Sequence, residues 1–517
     1  MSQDLMQSQA SKFRDCTKSV PAQRRFSELE RYKMPTLDIA RECARLTKPA
    51  VVPGIGHTPG QPLKFPESSH GSRLVSNLVS QLLLILFPPG IPFFKLDLES
   101  VDVRELSKSL KLPDQKTMYD ALRETFVSLE NSAVLGLESE GDREKLRMIL
   151  EQSVVAGDSM FITLDESLRI IPVSDWVVVR GPSGELIEAV YRESLPVTDD
   201  LEGIPISEEA RKTGFITRYV RAYRSRKRWA VEFFVESDST PYETLQVKDD
   251  DFWIHTNPWS LTAGEDYGRG HVEANLGDIR SYESGLQLVN QSATALSKVL
   301  FMVKPNGVTK AIDVAEAENT QIIYGDANDV GIVQANKVYD MGAFINLLNG
   351  IKQDLDISFM MPTALRRSGE RVTAEEIRRM AAEFEKSQGG IYSSLSLNIQ
   401  KPIARLLMRN LFKRSKGAFG NLKITDLLAV VNTGLQGLGR NLELENFLMF
   451  LSEFLGLNPQ NAMKLNMDQV ASRLASLRGL EISKLFKTAE ELQMEAQAQA
   501  MDAMVQQVGP DIIKGAM

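Results

Sequence analysis

A chain of 517 residues, 43% hydrophobic and 25% charged, has the balance of a water-soluble globular protein with room for two or three cores. Its net charge of -8 excludes a protein that grips nucleic acid through a strongly basic body, and leaves open an acidic enzyme or a surface that touches polyanions weakly. Cys16 and Cys43 are the only cysteines, which excludes a disulfide framework and a cysteine-built zinc site.

The start, MSQDLMQSQASKFRD, is polar and lacks an apolar stretch, so no secretion signal is expected and synthesis in a reducing cytosol fits. Residues 1 to about 50 read as polar helix ending at Pro49, and Ala50 to Pro66 as a Pro/Gly-rich loop. Leu74 to Phe87 carries Leu74, Leu78, Leu82 and Ile85 on one helical face. Its apolar run is far short of the ~20 residues a membrane span needs, and Pro88-Pro89 stops it; a core helix is expected and no membrane partner. Two further amphipathic helices are predicted over Asp102–Leu137 and Asp142–Val155.

From Ser159 to about residue 257 the period changes to strands. MFITLD, SLRIIPV, DWVVVRG, ELIEAVYRE, ITRYVRAYRS, RWAVEFFVES and DDFWIHTN are β-branched or aromatic and bounded by turn residues, with Gly181-Pro182-Ser183-Gly184 as a hairpin turn. Arg221, Arg224, Arg226, Lys227 and Arg228 alternate here with Tyr219, Tyr223 and Trp229. That mixture fits either a nucleic-acid surface or a solvated strand edge protected by charge.

Val272, Leu276, Ile279, Leu286, Val289, Ala293, Leu296 and Leu300 recur at helical spacing, a single apolar face of roughly 45 Å that Pro305-Asn306-Gly307 ends. A β-leaning stretch follows, with Gln321–Gly325 and Val330–Val333. A second helix is predicted from Tyr339 to Met361, with Phe344, Leu348, Ile351, Leu355 and Phe359 on one face and Pro362 at its end. Two long helices thus bracket a small αβ insertion.

LRRSGERVTAEEIRRMAAEFEKSQGG, Leu365 to Gly390, joins a loop bearing Arg366, Arg367 and Arg371 to a well-signalled helix. Thr373 with Glu376 makes a capping box, and Glu375 and Glu376 place negative charge in the first turn. Gln388-Gly389-Gly390 stops it. Ile391 to Arg414 is predicted as a helix interrupted at Pro402, Asn421 to Leu480 as mostly helical, and Phe486 to Gln507 as a helix able to pack with its symmetry mates.

No phosphate-cradling Gly-x-x-x-x-Gly-Lys-Ser/Thr motif and no Gly-x-Ser-x-Gly elbow occur. Gly54-Ile55-Gly56-His57-Thr58-Pro59-Gly60 has the wrong glycine spacing for a dinucleotide loop. His57, His70, His255 and His271 show no metal spacing, and Asp249-Asp250-Asp251 reads as a charged turn or a cation site. No cofactor, metal or enzymatic activity is expected.

Four stretches, in order, resemble the portal proteins (head-to-tail connectors) of short-tailed bacteriophages. Arg41-Glu42-Cys43-Ala44-Arg45-Leu46-Thr47-Lys48-Pro49 is similar to that family's Cys-Ala-x-x-Thr-x-Pro stretch, and Ser72–Leu96 to its apolar helix ending in Phe-Pro. Gly264–Gln287 is similar to its Gly-x-x-Tyr-Gly-Arg-(Gly/Ser) helix start, and SGERVTAEEIR with GGIYSSLS to its signature. The resemblance runs from about residue 25 to about residue 440.

The resemblance implies an α+β portal fold assembled as a dodecameric ring. Residues 1–265 would be the wing, 266–303 the first stem helix, 304–338 the clip, 339–361 the second stem helix, 362–372 a tunnel loop, 373–480 a helical return, and 481–517 the crown helix and tail. It implies a channel at one capsid vertex in the virion, through which double-stranded DNA enters and leaves. The partners implied are the terminase large subunit, tail adaptor and tail tube proteins, major capsid and scaffolding proteins, and internal core proteins. The acidic balance suits a conduit in which DNA must slide. Arg366, Arg367 and Arg371 would meet passing phosphates or a neighbouring subunit's carboxylates. Leu286, Val289, Leu296, Leu300, Phe344, Leu348, Ile351 and Leu355 would form the stem interface between subunits. A non-portal structural ring or adaptor of the virion, and a nuclease or ATPase of the packaging machinery, remain as alternatives.

Overall fold

The computed structural model describes residues 20–58, 60–90, 92–96, 126, 129–138, 141–164, 167–198, 203–296, 300–318, 321–333, 338–360, 390–415, 431–432 and 439–457, with Leu465, Val470, Ala471 and Leu474. The chain divides into two compact units. The first gathers residues 1–83, 144–164 and 168–370, and the second residues 84–143, 165–167 and 371–517. In chain order the elements that matter below begin with helices α1 (Ala22–Leu46) and α2 (His70–Leu86), strand β1 (Lys95–Leu96) and helix α3 (Asp142–Ala156). The sheet elements are β2 (Asp158–Leu164), β3 (Ser167–Ile171), β4 (Trp176–Arg180), β5 (Leu186–Pro196), β6 (Phe215–Ser225), β7 (Arg228–Val235), β8 (Glu243–Lys248) and β9 (Ile254–Pro258).

In the first unit β4 to β8 run as an antiparallel meander in sequence order, and β3-β2-β9 form a second antiparallel sheet. Strand alternation sorts the side chains into two layers. Val177, Val179, Val190, Tyr219 and Phe234 point to α1 and meet Ala22, Phe26 and Leu29. Their neighbours Trp176, Val178, Ala189, Tyr191, Val220 and Phe233 point the other way, onto Met160, Ile162 and Ile254 of the smaller sheet. The core is therefore one helix over a five-stranded sheet over a three-stranded sheet. The predicted strands are present, and Gly181 to Gly184 is the β4–β5 turn, with Gly184 at φ 82°. β8, Glu-Thr-Leu-Gln-Val-Lys, is an additional strand; as an exposed edge with only Val247 buried, it lacks the apolar alternation that announces the others.

The basic and aromatic mixture at 219–229 is not one surface. Tyr219 packs on the α1 layer and Trp229 on the opposite layer. Arg221 is fully buried: its Nε donates to Glu188 at 2.6 Å, and Nη1 lies 3.7 Å from Glu232. Arg25 of α1, also fully buried, donates to the same Glu188 through Nε and Nη2, at 2.8 Å for the latter. Tyr223 donates its hydroxyl to Glu232. The charges thus clamp the helix to the sheet. Arg224 reaches Asp249, so Asp249 to Asp251 form a charged turn before β9.

A second buried cation sits lower on α1. Lys33 Nζ donates to the carbonyls of Val173 and Trp176 at 2.6 Å each and lies 3.4 Å from the Trp176 ring centroid. Burial lowers its ammonium to about 7, against the pull of Asp158, Asp175 and Glu30. In the unfolded chain it titrates near 10.5, so between about 7 and 10.5 the unfolded state binds more protons and stability rises with pH. We expect urea denaturation to give a stability about 2 kcal/mol higher at pH 9 than at pH 7. Lys33→Met should flatten that difference; an unchanged slope in the variant would refute the assignment. At still higher pH the trend reverses, because burial raises Tyr191 and Tyr267 and the unfolded chain loses those phenolic protons first.

Strand β4 is the free edge of the meander, and the segment 264–270 closes it. Val178 N–H donates to the Tyr267 hydroxyl at 3.1 Å and Arg180 N–H to Asp266 Oδ1 at 2.8 Å, so alternate edge amides are satisfied. The approach depends on glycine. A Cβ on Gly157 (φ 85°) would lie 2.3 Å from the Gly268 carbonyl oxygen, and one on Gly268 would lie 2.4 Å from that of Gly157.

In the second unit, β1 pairs antiparallel with β12 (Val431–Asn432), a strand inside the stretch predicted as mostly helical. Leu96 N–H donates to Glu130, and the Phe87, Phe93 and Phe94 rings pack edge to face at 4.8 and 5.2 Å. The helix predicted over Ile391–Arg414 is continuous, comprising Ile391–Leu395, a π turn at Ser396–Gln400 and Lys401–Ser415. The wide turn directly precedes Pro402, which lacks the donor for an ordinary helical bond and whose ring crowds the preceding turn. The segment 101–125 and the crown helix predicted beyond residue 480 lie outside the described residues.

Candidate functional site

After the edge-closing segment the first unit continues into an antiparallel helical pair. A short helix, α4 (His271–Ala274), leads into α5 (Leu276–Leu296); strand β10 (Leu300–Val303), helix α6 (Ala311–Glu316) and strand β11 (Val330–Val333) follow, and α7 (Val338–Ser358) returns. The pair packs closely at its middle, where a Cβ on Gly285 would lie 2.4 Å from Leu348 Cδ2. A glycine there lets the α7 leucine seat against the α5 backbone, so this apolar stripe is closed partly by the chain itself.

The predicted interface residues separate accordingly. Leu348 and Leu355 are buried within the single chain. Leu286, Val289, Phe344 and Ile351 are half-buried. Leu296 ends α5. Leu300 is a correction: it lies not on the helix but in β10, where it is paired with Val333. Leu300-Phe301-Met302-Val303 is a short β-prone run, and the complementary Val330–Val333 draws it into a ladder rather than a further helical turn. Among the described residues, the large apolar side chains exposed on the pair include Leu288, Ile345, Leu347 and Ile357, all off the predicted stripe, while Ala293 of the stripe is exposed too. Periodicity marks what is buried, not which molecule buries it.

The inserted segment between the helices is held by polar bonds. Asp329 accepts from Val308 N–H at 2.9 Å, and Thr309 Oγ1 accepts from Asp326 N–H at 2.9 Å and donates to its carbonyl. Of the predicted β-leaning pieces, Val330–Val333 is a strand, while Gln321–Gly325 is irregular. Met302, Val308, Ile312, Ile322 and Tyr324 are exposed, the last 93% so, leaving an apolar surface at the tip of the hairpin.

At the opposite end of the pair the C-terminus of α7 is fastened. Asn77 Nδ2 donates to the carbonyls of Phe359 and Met360 at 3.0 and 2.9 Å. His271 Nε2 donates to the Ser358 carbonyl at 3.0 Å, and its ring meets Phe359 edge to face. His70 Nε2 lies 3.3 Å from Asp356. Burial lowers both imidazoles, against the Ser358 carbonyl for His271 and against Asp356 for His70. These groups satisfy the last carbonyls of the helix and fix the point from which the chain proceeds to the arginine loop. Arg366, Arg367 and Arg371 themselves lie outside the described residues. This fastening was missed in the sequence, since His70, His271 and Asn77 are far apart along it. No metal-binding cluster of His, Cys, Asp and Glu occurs among the described residues, and no described helix is long and apolar enough to cross a membrane.

A family model described as "Bacteriophage head to tail connecting protein" matches residues 21–214 and 226–485. The portal protein of Escherichia phage T7 is 27% identical over 504 residues, covering 92% of this chain and 90% of that protein. The portal protein of Enterobacteria phage T3 is 26% identical, covering 88% and 86%, and that of Pseudomonas phage phiKMV 25%, covering 87% and 88%. A chain of the neck of an empty gene transfer agent (GTA) particle is 10% identical, covering 69% of this chain and 87% of its own, with a TM-score of 0.31, a likeness too slight to carry a structural argument.

Proposed function

The chain belongs to the bacteriophage head to tail connecting protein family, and from that premise we propose that it is a portal: a ring of copies at one capsid vertex that passes double-stranded DNA inward during packaging and outward at ejection. The match across residues 226–485 carries the reading, because it spans both long helices and the segment between them. In this reading α5 and α7 form the stem, and their exposed Leu288, Ile345 and Leu347 face the neighbouring copy together with the half-buried Leu286, Val289, Phe344 and Ile351. The exposed apolar side chains of 302–324 form the clip and meet the terminase large subunit and then tail proteins. Capsid, scaffolding and internal core proteins meet other surfaces, and the portal performs no chemistry of its own. Arg366, Arg367 and Arg371 project toward the passing phosphates, with the helix end before them held by Asn77 and His271.

The test is the mass of the assembled protein, with images of the same sample. A dodecamer with a central hole is expected; a chain that stays monomeric even with scaffolding and capsid protein present would end the channel reading. In such rings Arg366→Ala with Arg367→Ala should leave the mass unchanged. One lost charge-assisted contact is worth about 1.5 kcal/mol, so DNA-filled heads should fall about tenfold. Normal yields of filled heads would remove these arginines from the mechanism.

A further inference from the structure

The Gly54–Gly60 loop, which carries no nucleotide motif, borders a cleft of about 580 Å³ against the last turns of α1. That volume lies in the range of small-molecule sites. Arg41 and Arg45 line the helix side, and His57 and Lys64 the loop side. The one acid among the lining residues, Glu42, is engaged by Arg280, whose Nε donates to it at 2.7 Å and which holds its carboxyl below the usual range. In a chain of net charge -8 this is a local excess of cations. Arg41 gives one nitrogen to Asp38, while its buried Nε has no acceptor among the described residues. Apolar Pro49, Val52, Ile55, Pro62 and Leu63 line it as well, with Gln61 as a neutral polar group.

Cations on both walls over an apolar floor fit a ligand that is part phosphate and part flat ring. We propose that this cleft binds a nucleotide unit, with its phosphate between Arg45 and Lys64, its base against the Pro49–Ile55–Leu63 floor, and Arg41 and His57 as further donors. An acidic peptide would engage the cations but leave the ring-sized apolar floor unused. The site uses none of Arg366, Arg367 and Arg371 and does not rest on the channel reading.

The probe is a fluorescently labelled single-stranded decadeoxynucleotide, titrated by polarisation against the full-length protein in its native assembly. Arg45→Gln with Lys64→Gln changes two exposed side chains. It should weaken binding about tenfold and flatten the salt dependence by about 1.4 in log–log slope, 0.7 for each lost cation. The tunnel arginines of the channel reading also offer donors to the decamer, so the site-resolved crosslink that follows, rather than total polarisation, keeps failure here and failure of the channel reading distinguishable. A 5-bromodeoxyuridine decamer should photocrosslink to the tryptic peptide running from Leu46 to Lys64, within which Lys48-Pro49 resists cleavage. Displacement of the decamer by ATP would assign a free nucleotide, and displacement only by unlabelled strand would assign polynucleotide. Equal affinity in the Arg45→Gln, Lys64→Gln protein, or crosslinks confined to other peptides, would overturn the proposal. So would carbodiimide coupling of Lys64 to a carboxylate of a second copy with no oligonucleotide effect, which would give the cleft to a protein neighbour.

Discussion

Replacing Glu188 with alanine is expected to cost about 3–5 kcal/mol of folding stability, the range for removing one partner of a buried ion pair. Glu188 is fully buried and takes donors from two equally buried guanidiniums, Arg25 on the helix and Arg221 on the sheet. Without it two cations remain in a low-dielectric layer with less negative charge between them, and Glu232, 3.7 Å from Arg221 Nη1, cannot serve both. The loss should appear as a lower urea midpoint and as release of α1. A fall below about 1 kcal/mol would mean that water or a shifted acid reaches the site. Arg25→Met, Glu188→Leu and Arg221→Met together should restore most of the loss, because an apolar set of similar volume avoids desolvating charge. The cluster's contribution would then be the placement of α1 more than net stability.

Gly157→Ala is expected to cost about 2–5 kcal/mol. The left-handed conformation at φ 85° accounts for about 1–2 of this. The rest is overlap: the new carbon would lie 2.3 Å from the Gly268 oxygen and 2.7 Å from the Gly270 nitrogen, and backbone cannot swing aside as a side-chain tip can. Relief requires the 264–270 segment to lift from β4. Hydrogen exchange should therefore quicken at the Val178 and Arg180 amides, which that segment covers. Gly54→Ala is the control, since its added carbon would meet nothing within 4 Å. Unchanged exchange at both amides in Gly157→Ala would show that the edge is protected by something other than this contact.

Much of the fold was readable because its signals are local. The strands from Asp158 to Pro258 alternate, and Pro88-Pro89 follows the end of α2 at Leu86. What escaped depends on partners distant in sequence. Arg221 looks like its exposed neighbours Arg226 and Lys227 until Glu188 and Arg25 are brought against it. Leu300 continues a helical stripe until Val333 offers it a ladder. The leucines at 348 and 355 have the spacing of an interface, yet Gly285 lets the chain bury Leu348 itself. The family was legible through short motifs, and one of them now has a physical cause: Tyr267-Gly268-Arg269-Gly270 combines a hydroxyl for the β4 edge with two glycines that admit close backbone approach. The cleft at Arg45 and Lys64 was not legible, because its loop resembles a motif it does not contain.

The pairing of β1 with β12 bears on how the chain is made. Lys95 and its partner Asn432 are separated by 337 residues, the difference of their numbers. At about 10 residues per second a ribosome needs roughly half a minute to deliver the second strand after the first. By then everything through residue 370 has emerged and the first unit can close around its sheets. The piece from 84 to 143, with Phe87, Phe93, Phe94 and Leu96 buried among its described residues, must wait through that interval for the rest of its own unit. Translation that stalls between residues 143 and 432 should therefore yield nascent chains that recruit general chaperones.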